Sequence, residues 1–108
     1  LSSANPRLSC IGLATSSSPT GPWTEKGIVV RSYANNSVGT NAIDPTVLIT
    51  ESGRHVMYYG SAWDGIYKLE LNPTTGLAQT DLDKGTRIAQ TASTGGKING
   101  NIEGPEII

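Results

Sequence analysis

Cysteine and phenylalanine are almost or wholly missing from this sequence of 108 residues, which has one cysteine, no phenylalanine and only 36% hydrophobic residues. The single cysteine, Cys10, excludes an internal disulfide and leaves a cysteine-based metal site without its other ligands. We expect Cys10 to be a small buried residue in a strand. No apolar run approaches the roughly 20 residues of a spanning helix, so we expect no membrane as a partner.

An excess of charge of either sign is also missing. Eight lysines and arginines oppose nine aspartates and glutamates, which leaves a formal net charge of −1. No cluster of basic residues forms a stripe that could follow the phosphates of a nucleic acid. We therefore expect no nucleic acid as a partner.

Helical periodicity is absent as well, because no segment repeats its apolar residues every 3.6 positions. Thirteen glycines and six prolines instead separate short apolar runs, a pattern typical of strands joined by turns. The sequence thus predicts an all-β fold with a meander in its centre and flexible loops at 32–41 and 91–101. The predicted strands are 7–16, 27–31, 44–50, 55–61, 65–71, 86–90 and 105–108.

A weak internal repeat sets the length of the structural unit. A strand followed by a Pro-Thr turn ends at Gly21 and again at Gly76, 55 residues later, while Asp44 and Glu103 lie 59 residues apart. Both spacings are close to the length of a four-stranded propeller blade. One and a half to two blades would fit in the chain. A piece of a β-sandwich is the alternative, which two repeats do not exclude.

The two ends of the sequence do not read as the ends of a domain. The chain begins without an initiator methionine or a signal-peptide pattern and stops inside the apolar run "PEII". Natural domains rarely end within a strand. We expect residues 1–108 to be a partial domain, truncated at both ends.

Two carboxylates occupy equivalent places in the repeat. Asp44 directly precedes Pro45, and Glu103 lies two residues before Pro105, each at the beginning of a predicted strand. In a propeller, such positions can point into a pocket at one face, and paired carboxylates are the usual apparatus for cleaving glycosidic bonds. The same residue types are also common in turns. The spacing alone therefore leaves a catalytic and a structural interpretation open.

Three motifs in a fixed order carry a resemblance to a known family. "NAIDP" at 41–45, "YYGSAWDGI" at 58–66 and "NIEGPEII" at 101–108 resemble the middle of glycoside hydrolase family 43, in particular its endo-1,5-α-L-arabinanases. Residues 11–32 resemble the blade segment that precedes these motifs. The resemblance implies about two blades of a five-bladed β-propeller. It also implies part of an inverting hydrolase that cleaves α-1,5-linked L-arabinofuranosyl bonds of arabinan.

The resemblance assigns a role to each carboxylate. Glu103 corresponds to the general acid, and Asp44 to the carboxylate that modulates its pKa. An ionised neighbour raises a glutamate pKa by like-charge repulsion, which keeps the proton available for the leaving oxygen. The family's general base belongs to an earlier blade, so we expect this chain alone to be inactive. The alternatives are part of a β-xylosidase or α-L-arabinofuranosidase, or a non-catalytic sugar-binding or structural propeller segment.

The same resemblance predicts the substrate contacts. An indole beside a small hydroxyl suits a sugar, which has an apolar ring face and a polar rim. Packing between blades is the alternative for Trp63, and Ala62 stands where this group often has an aromatic residue. The predicted contacts are Asn41, Ala42, Ile43, Ser61, Ala62 and Trp63.

Metals and partners complete the expectations. The resemblance implies a central metal ion, often calcium, in the complete propeller, but it is held by a later blade. "DLDKG" at 81–85 lacks the closing glutamate of a calcium loop, so we expect no metal or cofactor in this chain. Two blades cut from a closed ring would expose apolar faces, which predicts a homo-oligomer, possible through exchanged strands. The parent enzyme is expected to be secreted or extracellular.

Overall fold

The computed structural model describes residues 9–32, 41–61, 64–80, 83–91, 93–94, 97–98 and 102–108. This part of the chain is all-β, as predicted, and it contains no helix long and apolar enough to cross a membrane. Its strands are β1 Cys10–Thr15, β2 Thr24–Arg31, β3 Thr46–Ile49, β4 His55–Ser61, β5 Gly65–Leu71, β6 Thr86–Ala89, β7 Ser93–Thr94 and β8 Lys97–Ile98.

Strands β1 and β2 form an antiparallel hairpin. The ladder runs from Cys10 opposite Arg31 to Thr15 opposite Thr24. Its connection turns at Gly21, whose backbone N–H donates to the Ser18 carbonyl at 3.0 Å. Gly21 has φ 83°, a left-handed conformation that glycine adopts without steric cost.

Strands β3 to β6 form one four-stranded antiparallel sheet in sequential order. The strands predicted at 44–50 and 55–61 are joined by a turn, since the Gly53 N–H donates to the Thr50 carbonyl at 2.8 Å. The Pro-Thr turn predicted to end at Gly76 is confirmed, because the Asn72 side-chain oxygen accepts from the Thr74 N–H at 2.8 Å. A four-stranded meander of this kind is the sheet that makes up a propeller blade.

The core lies where the middle of the sheet faces the hairpin. Met57, Tyr59 and Leu69 are the largest fully buried side chains, and all three belong to β4 and β5. The hairpin adds Ile11 and other apolar residues of β1 and β2 to the same cluster. Burying such side chains is the main source of stability, so hairpin and sheet share one core.

Two contacts near the β5–β6 connection bring the hairpin close to the sheet. A Cβ atom added at Gly76 would come 2.9 Å from Cδ2 of Leu13 in β1, and one added at Gly27 would come 3.9 Å from Cδ1 of Leu77. Leu13 and Leu77 are themselves packed against the core cluster. The absence of a side chain at Gly76 therefore leaves room for β1 to pack against this connection.

The prediction of a buried cysteine was wrong. Cys10 is exposed, whereas the next residue, Ile11, is buried in the core. Successive residues of a strand point to opposite faces, so the face of β1 that buries Ile11 turns Cys10 towards solvent.

The prediction of a terminal strand at 105–108 was also wrong. Residues 102–108 adopt no strand, and none of the ladders in the described part of the chain includes them. Isoleucine favours strands, but a strand needs a neighbour for its backbone hydrogen bonds. The predicted loop at 91–101 instead contains the short β7–β8 pair, in which Ser93 faces Ile98.

Candidate functional site

The segment that leads to Asp44 is tied to the open end of the β1–β2 hairpin, next to both of its strands. The Ala42 N–H donates to Oγ of Ser32 at 2.8 Å and to Oγ of Ser9 at 3.1 Å. The Ser9 hydroxyl in turn donates to Oδ1 of Asn41. Ala42 itself is only 1% exposed. We call Ser9, Ser32, Asn41 and Ala42 the serine hub.

The same segment is tied to β4 on its other side. The Gly60 N–H donates to the Ile43 carbonyl at 3.1 Å, and the Ile43 N–H donates to the Asn41 carbonyl at 3.0 Å. Gly60 precedes Ser61, the last residue of β4. The structure therefore places Asn41 to Asp44 beside the end of β4, and Ala62 and Trp63 lie outside the described residues.

Asp44 has an unusual backbone conformation. Its φ is 50°, the one positive φ of a non-glycine residue in the described ranges. A left-handed conformation costs an L-residue on the order of 1 kcal/mol, with aspartate among the residues that tolerate it best. A following proline adds a further restriction, since it favours an extended backbone before it. Asp44 is also exposed, so the serine hub holds a strained residue whose side chain faces solvent.

Glu103 lies in a separate environment. It is exposed and outside the strands, and Gly104 beside it has φ 60° with open space around it. Glu103 therefore does not stand at the entrance to a strand, contrary to the prediction. Neither Asp44 nor Glu103 takes part in an ion pair with the described residues.

A polar network on β5 and β6 was missed by the sequence analysis. Asp64 binds Arg87 through Oδ1 and accepts a hydrogen bond from the Tyr67 hydroxyl at Oδ2. Asp64 belongs to the second motif, which could have drawn attention to it. Arg87 is 23 residues away, and no sequence pattern links the two.

The network affects the titration of Tyr67. Burial, the hydrogen bond to Asp64 and the Asp64 charge all raise the pKa of the Tyr67 hydroxyl above its usual value. A raised folded-state pKa means that the folded protein keeps this proton at a pH where the unfolded chain has lost it. The resulting stability is fully present below about pH 10 and declines as the pH rises further.

We therefore expect Tyr67→Phe to flatten the alkaline loss of stability. Urea unfolding between about pH 9 and about pH 11 should show a smaller decrease in unfolding free energy for Tyr67→Phe than for the unmodified chain. Asp64→Asn should lie between the two, because it removes the charge and leaves the burial. Identical pH dependence in Tyr67→Phe and the unmodified chain would contradict this assignment.

The described ranges contain no group of three or more His, Cys, Asp or Glu that could hold a metal ion. These residues do not fit the metal ion expected for a complete propeller.

Comparison with known families settles the classification. The family model described as "Glycosyl hydrolases family 43" matches residues 2–108. The chain belongs to glycosyl hydrolases family 43. The match covers the Asp44 segment, the network on β5 and β6, and Glu103.

Curated relatives within family 43 have names that refer to arabinan. The chain is 40% identical over 98 residues to the probable arabinan endo-1,5-α-L-arabinosidase B of Aspergillus oryzae, covering 78% of this chain and 28% of that protein. It is 36% identical over 114 residues to the extracellular endo-α-(1→5)-L-arabinanase of Thermotoga petrophila, covering 93% of this chain and 23% of that protein. The chain thus spans about a quarter of the length of these relatives.

Solved structures of the family agree with the fold. The endo-1,5-α-L-arabinanase of Thermotoga petrophila has a TM-score of 0.63 at 32% identity, covering 72% of this chain and 21% of that chain. The native arabinanase of Bacillus subtilis has a TM-score of 0.59 at 36% identity, covering 67% of this chain and 24% of that chain. About two thirds or more of this chain therefore shares its fold with solved arabinanase structures.

Proposed function

We propose that this chain is part of an inverting endo-1,5-α-L-arabinanase, built as a five-bladed β-propeller of which the chain forms about two blades. It carries the general acid, Glu103, and a modulating carboxylate, Asp44, and it lacks the general base. The observation that carries the proposal is the strained, exposed Asp44 held by the serine hub. Since the relatives are about four times longer, the activity belongs to the complete protein.

The conformation of Asp44 favours a functional role over an ordinary turn. A turn that needs a left-handed residue is filled at lower cost by glycine. Strained non-glycine residues persist where the surrounding structure holds them, and they cluster at active sites. The buried Ala42 amide and the Ile43 carbonyl provide that support on both sides of the segment. The structure thus keeps a carboxylate at a position where a turn alone would not require one.

The chemistry follows from two carboxylates with different tasks. Glu103 donates its proton to the leaving oxygen of the glycosidic bond, while the base in another part of the protein activates water on the opposite face of the sugar. In inverting glycosidases these two groups are about 6.5 to 9.5 Å apart, which admits that water. The chain alone supplies only the acid side and is inactive in this proposal.

Other roles of the chain remain predictions. Asn41, Ala42 and Ile43 would contact the substrate beside Asp44, and Ser61, Ala62 and Trp63 would contact it from the β4–β5 connection. Assembly into a homo-oligomer would cover exposed apolar side chains such as Val47 and Ile49, which are 53% and 61% exposed. Secretion of the parent protein is suggested by relatives that are named extracellular.

Cleavage from the chain end, the exo mode, is a second candidate beside the endo mode. A structure named exo-1,5-α-L-arabinanase, from a bovine ruminal metagenomic library, has a TM-score of 0.59 at 35% identity, covering 72% of this chain and 27% of that chain. Chromatography of the products that the complete protein releases from debranched arabinan separates the two. A ladder of oligosaccharides supports the endo mode, and short products of one length from the first minutes support the exo mode. Hydrolysis of xylan in place of arabinan would overturn the proposal.

Asp44→Asn in the complete protein tests the role of the modulating carboxylate. A neutral amide removes the negative charge through which, in this proposal, the modulating carboxylate acts on the general acid. The alkaline limb of the pH–rate profile on arabinan should therefore move to lower pH. Glu51→Gln is the matched control, since Glu51 is an exposed carboxylate on the β3–β4 turn, and it should leave the limb in place. An unmoved limb in Asp44→Asn would contradict the role.

A further inference from the structure

The side chain of Asp64 uses both carboxylate oxygens at the beginning of β5. Oδ1 binds Nη1 of Arg87 on β6, and Oδ2 accepts from the Tyr67 hydroxyl two residues into β5. The Asp64 side chain is only 19% exposed, against 42% for that of Arg87. A carboxylate held at both oxygens by two partners has little freedom to turn. Asp64 is therefore fixed in orientation as well as in position.

The partners of Asp64 connect it to the core. Tyr67 is 4% exposed, and its ring lies 5.8 Å from that of Tyr59. The Tyr59 hydroxyl donates to the Lys84 carbonyl at 2.9 Å, and Nζ of Lys84 lies 5.7 Å from the centre of the Tyr67 ring. Asp64 is thus joined to the segment that leads into β6 through a packed aromatic pair.

At the same end of the sheet, close backbone contacts join the beginning of β5 to the ends of β4 and β6. A Cβ atom at Gly65 would come 2.0 Å from the Ala89 carbonyl oxygen, and one at Gly60 would come 2.3 Å from the Gly65 carbonyl oxygen. The ends of β4, β5 and β6 therefore lie against one another without intervening side chains. Because Gly60 also binds Ile43, a shift of β5 would reach the segment that carries Asp44.

We propose that Asp64 is a positioning residue for arabino-oligosaccharide binding: held by Arg87 and Tyr67, it fixes the beginning of β5 against the end of β4 and so keeps the predicted sugar contacts at 41–43 in place through the hydrogen bond from Gly60 to Ile43. The inference rests on the proposed function. It assigns a task to the carboxylate that directly follows Trp63 in the sequence and to Arg87, its partner on β6.

A second ion pair in the same sheet supplies a matched control. Arg54, next to β4, binds Glu70 on β5. Those side chains are 55% and 46% exposed, respectively, and the pair lies at the end of β4 and β5 opposite to Asp64. Exposed pairs of this kind contribute little. Glu70→Gln therefore removes a negative charge from β5 without touching the connection that precedes this strand.

The first experiment measures the accessibility of Trp63, which directly precedes Asp64 in the sequence, to a quencher in the 108-residue chain. In a Trp23→Phe background, Trp63 is the remaining tryptophan, because the chain has two. Asp64→Asn and Arg87→Met should each change the acrylamide quenching constant of Trp63 by about twofold or more. Arg87→Lys keeps the charge and should retain most of the unmodified value. Glu70→Gln should leave it unchanged.

Two outcomes of the quenching experiment would overturn the inference. One is an unchanged quenching constant in both Asp64→Asn and Arg87→Met. The other is an equal change in Glu70→Gln, which would indicate general loosening of the sheet. Where Asp64→Asn fails to fold, the comparison of Arg87→Lys with Arg87→Met gives the same decision, since only the lysine variant retains the pairing.

The second experiment reads substrate binding in the complete protein. With arabino-oligosaccharides, Asp64→Asn should raise KM by about tenfold and change kcat by less than about twofold. A residue that only stabilised the fold would lower the amount of active protein and would leave the KM of the remaining protein unchanged. An unchanged KM overturns the inference and leaves the proposed function intact. Absence of arabinan hydrolysis in the unmodified complete protein overturns the proposed function, whereas the quenching result is independent of it.

Discussion

Glu103→Gln in the complete protein is expected to lower turnover on debranched arabinan by about 10² to 10⁴, the usual contribution of general acid catalysis. Glutamine preserves the size of the side chain and has no carboxyl proton to donate. The leaving sugar then departs without protonation of its oxygen. Release of reducing sugar, measured at the optimum pH of the unmodified protein, gives the ratio of the two rates.

The leaving group provides an internal check on this assignment. Aryl arabinofuranosides with an acidic phenol need little protonation to depart, so Glu103→Gln should slow their hydrolysis far less than that of arabinan. Glu106→Gln is the matched control, because Glu106 is an exposed glutamate three residues further along the chain. It should retain the unmodified rate on both substrates. Parental turnover of arabinan by Glu103→Gln would contradict the assignment.

Gly65→Ala is expected to cause a large loss of stability in the sheet, about 3 kcal/mol or more. An added Cβ atom would come 2.0 Å from the Ala89 carbonyl oxygen, and the φ of Gly65 is 87°. The backbone of β6 would have to move away, which breaks hydrogen bonds of the β5–β6 ladder. Urea unfolding of the 108-residue chain measures the difference in unfolding free energy.

Gly53→Ala separates the two causes of that loss, which are the clash with β6 and the left-handed backbone. Gly53 has nearly the same φ, 80°, but its added Cβ atom would meet nothing within 4 Å. The substitution therefore carries only the cost of a left-handed backbone, on the order of 1 kcal/mol. Equal losses in Gly53→Ala and Gly65→Ala would show that close approach to β6 does not limit position 65.

The fold could be predicted from the sequence wherever its determinants are local. Turns at Gly53 and Asn72 follow from residues within the turn itself, because glycine tolerates positive φ and asparagine binds its own backbone. The terminal run at 105–108 was predicted wrongly from the same kind of local preference. A strand depends on a partner elsewhere in the chain, and strand propensity contains no information on that partner.

In the candidate site, too, local features could be predicted and contacts between distant residues could not. The motifs drew attention to Asp44 through its proline and to Ser61 through its aromatic neighbour. They could not indicate that Ser9, 33 residues from Ala42, would bind its amide, or that Asp64 would bind Arg87 across two strands. Serine and arginine are common at surfaces, and only the fold brings these particular residues together.

The serine hub has a consequence for how the protein responds to heat. Ser9 and Ser32 lie directly outside the hairpin strands and are joined by a backbone hydrogen bond of 2.9 Å, so fraying of this one end releases the Ala42 amide. Local opening of strand ends requires far less free energy than global unfolding. Because β3 to β6 pair only with one another in the described part of the chain, their ladders survive such opening. The placement of Asp44 is thus governed by fraying of the hairpin, at temperatures where the sheet is still intact.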